Sequence, residues 1–415
     1  MRKLSLYYVT LFLFLSCPVA LSAATQADVS ETQAPVVGQS DDLLMEQPVT
    51  DAAPVVDGQR VSGVEASEEG QSVQDEAEQP VETVVQKPIR KELDIWGADH
   101  ALTKKYTERY LRDRDRKWII EALDRSVLYR PYIVERLERM NLPLILQYLP
   151  IVESNYNVYA VSYAGATGIW QFMTNSMGTL LKKNTWFDDR RDPWKSTDAA
   201  LVKLSENYAY FGDWAIAIAA YNCGTGAMNK VVKTHKGMDF WTLAEKGYLK
   251  TQSAQYVPKL LAIADIVENA EYYGVLDVKE ADQMIGDEPA DTFDFIVTNG
   301  MYSMEQIASV TDSDASLLLT LNPALLRGCT PARQEYFVRL PKGTLTKDLT
   351  PDVAVEKLKA LGTPNDAIVY TVQPGDTLWA LSRKYKLTVQ DLCDVNGISE
   401  KAYLRIKQKL IIPLF

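Results

Sequence analysis

The stretch NLPLILQYLPIVESNYNVYAVSYAGATGIWQFM, residues 141–173, decides the architecture. Asn141, Leu142 and Pro143 read as a helix start, because proline suits a first turn whose N–H would be unpaired anyway. The run Leu144, Ile145, Leu146, Tyr148, Leu149, Ile151 and Val152 leads straight into Glu153, so a carboxylate is expected to end an almost wholly apolar helix. Desolvation and the partial negative charge at a helix C-terminus both disfavour the charged form, and both are expected to raise the Glu153 pKa. A glutamic acid protonated near neutral pH is what general-acid catalysis needs. Beyond it, small residues with Gly165 and Gly168 are expected to let backbone approach a ligand, while Ser162, Gln171 and several aromatic rings offer hydrogen bonds and flat faces. Such a surface suits a sugar chain.

Outward from this stretch the pattern stays helical. Trp118, Ile119, Ile120, Leu123, Val127 and Leu128, then Ile133, Val134 and Leu137, are spaced for amphipathic helices. Downstream, Ala199 to Phe211 reads as a helix stopped by Gly212, and the nearly all-apolar Trp214 to Ala220 as a buried helix that delivers Tyr221, Asn222 and Cys223. Asp188, Asp189 and Asp192 fit caps or ion pairs with Arg190 and Arg191. Composition narrows the function: 44 Lys and Arg stand against 55 Asp and Glu, a net −11, so no nucleic acid is expected as partner. His100, His235, Cys17, Cys223, Cys329 and Cys393 form neither CxxC nor HExxH, so no metal and no cofactor are expected. Cys329 and Cys393 fit either a disulfide or free buried thiols.

Four motifs in this order resemble the lytic transglycosylases of the goose-lysozyme-like fold: Glu153-Ser154; Ala164-Gly165-Ala166 with Gly168-Ile169-Trp170-Gln171; Ala220-Tyr221-Asn222; and Gln255-Tyr256-Val257-Pro258-Lys259. The resemblance implies a mainly α, lysozyme-like catalytic domain over residues 92–285, with Glu153 as sole catalytic acid and base. It implies that Ser162 hydrogen-bonds substrate near the scissile bond, that Gln171 and Met173 line the cleft, that Tyr221 and Asn222 face the acid, and that Tyr256 comes from the last core helix. The family often has glutamate where Gln252 stands, which leaves open any cleft-shaping role of that acid. The residue types alone also fit blander roles: Trp170, Met173 and Tyr221 as core, Ser162 and Asn222 as turn or cap, Glu153 as a solvated helix end.

Ordinary glycosidases use two carboxylates, and no second one lies between Glu153 and Gln171. The resemblance implies another route. Glu153 protonates the β-1,4 oxygen between N-acetylmuramic acid and N-acetylglucosamine, then deprotonates the C6 hydroxyl of the same muramic acid, closing a 1,6-anhydro ring. A hydroxyl already in place replaces bound water and its base. The alternatives are hydrolysis, as in goose-type lysozyme, and a noncatalytic peptidoglycan-binding scaffold.

Residues 367–414 hold an alternating strand, a Pro374-Gly375 turn with Asp376 read as helix cap, two short helices and a closing strand. This resembles a LysM repeat, a small βααβ module that binds N-acetylglucosamine-containing glycans. Carried over, it points to Gly375, Asp376, Thr377 and Leu378 with the loop Asn396, Gly397 and Ile398. Residues 292–342 echo the layout as a degenerate LysM-like repeat, with Asn299-Gly300-Met301-Tyr302-Ser303 where the Gly-Asp turn would stand. Upstream, Arg2, Lys3, the run Leu11 to Leu15 and Ser22, Ala23, Ala24 have the order of an export signal over residues 1–24. Phe14-Leu15-Ser16-Cys17 loosely fits a lipoprotein box, which would give membrane anchorage through an acylated Cys17. Residues 25–90 carry 14 acidic and three basic residues and no aromatic ring, so a disordered linker is expected, and residues 91–415 are left at −2. The expectation is an exported enzyme of the periplasm or cell envelope, outer-membrane-anchored if Cys17 is acylated, whose partners are peptidoglycan glycan strands, with no obligate protein partner.

Overall fold

The computed structural model describes residues 88–276, 278, 293–362 and 367–414; the export signal, Cys17 and nearly all of the acidic linker lie outside the described residues. Amphipathic spacing yields α1 (Ala101–Tyr110), α2 (Asp113–Ser126) and α3 (Arg130–Arg139), which bury Tyr106, Ile119, Leu123, Ile133 and Leu137. The stretch before Glu153 is not the single helix expected from its apolar run. Leu144–Tyr148 is a 3-10 turn, and a new helix α4 (Leu149–Ser154) follows with Pro150 in its first turn. One continuous helix would need an N–H at Pro150 to pair the Leu146 carbonyl, and proline has none. α4 ends on Asn155 in the left-handed region, at φ 55°.

α5 (Pro193–Phe211) starts before the expected Ala199 because Asp192 caps it, its carboxylate accepting from the Trp194 and Lys195 amides. Gly212 ends it at φ 69°. α6 (Trp214–Cys223) is buried from Ala215 through Tyr221, as its all-apolar surface requires. α7 (Thr225–Thr234) and α8 (Phe240–Glu245) lead to α9 (Thr251–Glu268), and the short α10 (Ala270–Tyr273) follows. α9 packs against α1, α4, α6, α8 and the 3-10 turn, and Val257, Leu260, Leu261, Ile263 and Ala264 are fully enclosed there. It is the spine against which the Glu153 helix rests.

Two βααβ units follow. In the first, β1 (Phe293–Thr298) and β2 (Tyr336–Pro341) pair antiparallel, Phe293 opposite Pro341 and Thr298 opposite Tyr336. Between them lie helices Met304–Thr311, opened by a Ser303–Gln306 capping box, and Ala315–Leu321. A further helix, Pro351–Leu361, lies against β1. In the second unit β3 (Ala367–Thr371) pairs with β4 (Lys409–Pro413) around helices Leu378–Lys384 and Val389–Asn396. The helix cap here is Thr377, whose hydroxyl accepts from the Ala380 amide at 3.0 Å, and not Asp376. The Asp376 carboxylate instead closes the turn, accepting from the Gln373 amide at 2.7 Å and the Tyr370 hydroxyl at 2.9 Å. Cys223, Cys329 and Cys393 form no disulfide among the described residues, and Cys329 and Cys393 are buried. Among the described residues no helix is long and apolar enough to cross a membrane.

Candidate active site

Glu153 sits at the last turn of α4, half-buried, where three helices converge. The buried Tyr256 of α9 donates its hydroxyl hydrogen bond to Glu153 Oε1. Oε2 has no hydrogen-bond partner among the described residues. Burial pushes the Glu153 carboxyl up to about 7, against opposing pulls from the Tyr256 hydrogen bond and the Lys203 charge. Desolvation therefore produces the protonated acid expected from the sequence; the helix end that was expected to help is only six residues long. Burial, reinforced by the nearby carboxylate, also lifts the Tyr256 and Tyr221 phenols well above their ordinary range, so both stay protonated donors.

The segment after α4 is a loop pinned at many points. Ser154 Oγ donates to the Ile169 carbonyl at 3.0 Å, and short bridges join Val161 to Thr167 and Thr167 to Phe172. Ser162 Oγ accepts from the Ala166 amide at 3.0 Å, which leaves its hydroxyl hydrogen available. Gln171, at φ 48°, donates its amide group to the Gly168 carbonyl at 2.9 Å and the Ala160 carbonyl at 3.3 Å. Met173 lies at the surface, 36% exposed, as do the rings of Tyr159 and Tyr163. Trp170 is core: it is fully buried and donates to Thr197 Oγ1 at 2.9 Å. The tight glycine is explained by protein and not by ligand, since a Cβ on Gly168 would stand 1.7 Å from the Arg190 carbonyl oxygen. Arg190 itself, buried, donates to the Gly165 and Phe172 carbonyls at 2.9 and 3.0 Å and clasps Asp188 at 2.7 Å.

Tyr221 is brought beside Glu153, and its hydroxyl donates to the Trp170 carbonyl at 2.9 Å. Asn222 is held by the neighbouring helix, its Oδ1 accepting from Ser253 Oγ at 3.1 Å. Gln252, one turn before Tyr256, is exposed. The later aspartates are engaged elsewhere: Asp188 with Arg190, Asp189 with Lys195 at 2.8 Å, Asp192 with Arg339 at 2.7 Å. Arg191 pairs with none of them and lies over the Tyr159 ring at 5.8 Å. Lys203 was missed by sequence reasoning. The available signal was its place on α5, where Ala200, Lys203, Leu204 and Asn207 follow helical spacing onto the inward stripe.

In the last βααβ unit, the side chains singled out from sequence mostly serve the fold. Leu378 is buried, and Asn396 exchanges hydrogen bonds with Ile411, donating to its carbonyl and accepting from its amide, both at 2.7 Å. Gly397, at φ 61°, lies under the Arg333 guanidinium, Ile398 packs on the unit's own core, and Gly375, at φ 90°, stays open. Gly375 leaves backbone uncovered at this edge, and the Trp379 ring is exposed nearby in sequence.

A half-buried carboxyl held by a tyrosine hydroxyl, beside a glycine-bearing loop in a mainly helical body, is the make-up of a lysozyme-like enzyme. Residues 132–244 match the Transglycosylase SLT domain, residues 292–348 the Lytic transglycosylase MltD, LysM-like domain, and residues 370–413 the LysM domain. The membrane-bound lytic murein transglycosylase D of Escherichia coli (strain K12) is 31% identical over 322 residues, covering 75% of this chain and 68% of the relative. The protein of that name from Escherichia coli O6:H1 (strain CFT073) matches with the same identity and coverage. The chain belongs to the lytic murein transglycosylase family and is an enzyme of that class.

Proposed function

We propose that the chain is a peptidoglycan lytic transglycosylase in which Glu153 alone acts as acid and then base, cleaving between N-acetylmuramic acid and N-acetylglucosamine. The observation that carries this is one carboxyl, pushed by burial up to about 7 and held through Oε1 by Tyr256, with Oε2 open for the proton in transit. Glu153 gives that proton to the glycosidic oxygen as the C1–O bond breaks. The resulting carboxylate takes the proton of the muramyl C6 hydroxyl, whose oxygen bonds to C1. The proton returns to Glu153, no water enters, and the product ends in 1,6-anhydromuramic acid. Ser162 supplies a hydroxyl donor and Gln171 an amide oxygen to the glycan, with Met173 at the cleft edge and Tyr221 supporting the wall.

Glu153→Gln is expected to abolish clearing of purified murein; equal clearing by parent and variant would overturn the role of Glu153, and no clearing by either would favour the scaffold reading. Mass spectrometry of the products separates the two chemistries, because hydrolysis leaves fragments heavier by one water. We read the enzyme as associated with the cell envelope and its last module, residues 367–414, as a glycan grip. Fatty-acid incorporation lost in Cys17→Ser would establish a lipid anchor, and a mature N-terminus just after Ala24 would exclude it.

A further inference from the structure

Lys203 stands on the inward stripe of α5, half-buried, where an aliphatic residue would pack without penalty. Its Nζ lies 5.3 Å from the centre of the Tyr221 ring and 5.8 Å from that of Phe172. The two rings are buried and meet edge to face at 6.2 Å. Among the described residues the ammonium makes no hydrogen bond and no ion pair. The charges that act on it are Glu153 and, one turn along its own helix, Glu206. Glu153 in turn is faced by Tyr256 of α9, Tyr221 of α6 and Lys203 of α5.

We propose that Lys203 is a positioning residue for charge: its ammonium, cradled by the Tyr221 and Phe172 rings beside Glu153, stabilises the carboxylate that exists between the two proton transfers. This rests on the reading of Glu153 as acid and base. The first transfer turns a neutral acid into an anion in a poorly solvated cleft, where an unbalanced charge is costly. The second transfer neutralises it again. A cation held by neutral ring faces meets no full counter-charge there, whereas one locked in an ion pair would have most of its field cancelled at the carboxyl. Burial lowers the Lys203 pKa, and the charges of Glu153 and Glu206 oppose that fall. Without it, burial would hold Glu153 more firmly in its acid form and make the working carboxylate harder to reach.

The test compares parent, Lys203→Met and Lys203→Arg on purified murein across pH, beside a carbon-13 NMR titration of the Glu153 carboxyl in the unliganded protein. In Lys203→Met the titration and the alkaline limb of kcat/KM are expected to move up by about 0.5–1 pH unit, with a lower kcat at neutral pH. Lys203→Arg is expected to restore both. A thermal melt checks folding, and Lys203→Gln replaces Lys203→Met if the latter does not fold. An unshifted titration and limb, with Glu153→Gln inactive, overturns the role of Lys203 alone. Turnover by Glu153→Gln overturns instead the reading beneath it.

Discussion

Residues 293–341 and 367–413 follow one βααβ plan, with paired outer strands and two short helices between, but their faces meet different surroundings. The first unit is part of the catalytic body. Arg339 on β2 gives its guanidinium to both oxygens of Asp192, at 2.7 and 3.1 Å, and lies over the Trp194 ring at 4.2 Å. Phe187 bridges to Leu325, the Asp188 amide donates to the Ala324 carbonyl at 2.9 Å, and Arg327 donates to the Thr185 carbonyl at 2.8 Å. Trp186 and Phe187 sit inside this unit's own core. The same loop then carries Arg190 to the carbonyls of the segment after Glu153. The second unit keeps a separate small core of Val372, Leu378, Leu381, Leu392, Leu410 and Ile412. It touches the rest through Asp391 with Arg327 at 2.7 Å, Asp394 with Trp186 at 3.4 Å, Gly397 under Arg333, and the buried Val395 with Ile411, which pack on the first unit's core. One topology thus meets two settings: the copy without the Gly-Asp turn is tied by Arg339 to the loop that holds the segment after Glu153, and the copy with it keeps a small core of its own while resting Val395 on the first.

The largest expected effect belongs to the Arg339 tie. Arg339→Met leaves Asp192 buried without its cation, which costs about 3–5 kcal/mol and lowers Tm by roughly 5–15 °C. Lys342→Met, which breaks an exposed contact at 3.8 Å to Asp294, is the control and is expected to change stability by less than about 1 kcal/mol. Equal melting of the two variants would break the comparison.

The next concerns the cleft and pH. Glu153 has a folded pKa of about 7 against an ordinary 4.5, a raised value, so its contribution to stability is complete below the ordinary value and is lost as pH rises through 7. Glu153→Gln is therefore expected to be as stable as the parent at pH ~4 and up to about 2–3 kcal/mol more stable at pH ~8. Calorimetry with and without residues 364–415 sharpens the comparison, because a module outside the cleft leaves that gain unchanged.

Smaller again is Arg327→Met. Arg327 reaches one oxygen of Asp391, where Arg339 holds both oxygens of Asp192, so the expected cost is about 1–3 kcal/mol, confined to the last unit. Hydrogen exchange should rise at Leu392 and Leu410 and not at Leu261. The mildest prediction is functional: deleting residues 364–415 weakens pelleting with insoluble murein and leaves turnover of short soluble glycans intact. Unchanged pelleting would assign the second unit to architecture too.

Much of the fold was legible because burial stripes write themselves into spacing. The carboxyl was legible because an acid straight after an apolar run stands out in the spacing, and burial does raise its pKa. Other features were hidden by chemistry that adjacent residues share. Asp376 and Thr377 are both capping residues one position apart, and only the backbone register decides that the threonine caps and the aspartate closes the turn. The helix before Glu153 carries two prolines, and the first masks the restart that the second imposes. Lys203 was read past because long basic side chains usually reach water from a helix flank.

Sequence by itself determined most of the elements, the carboxylate at the end of an apolar run and the repeated βααβ plan, since these rest on periodicity and on residue types close together in the chain. Tertiary structure decided which rings hold Lys203, why Gly168 must be glycine, and that the first repeat is joined to the cleft wall while the second keeps its own core. Those outcomes depend on contacts between distant segments, Arg339 with Asp192 or Tyr256 with Glu153, and local spacing carries no record of which distant partner a buried polar group will meet.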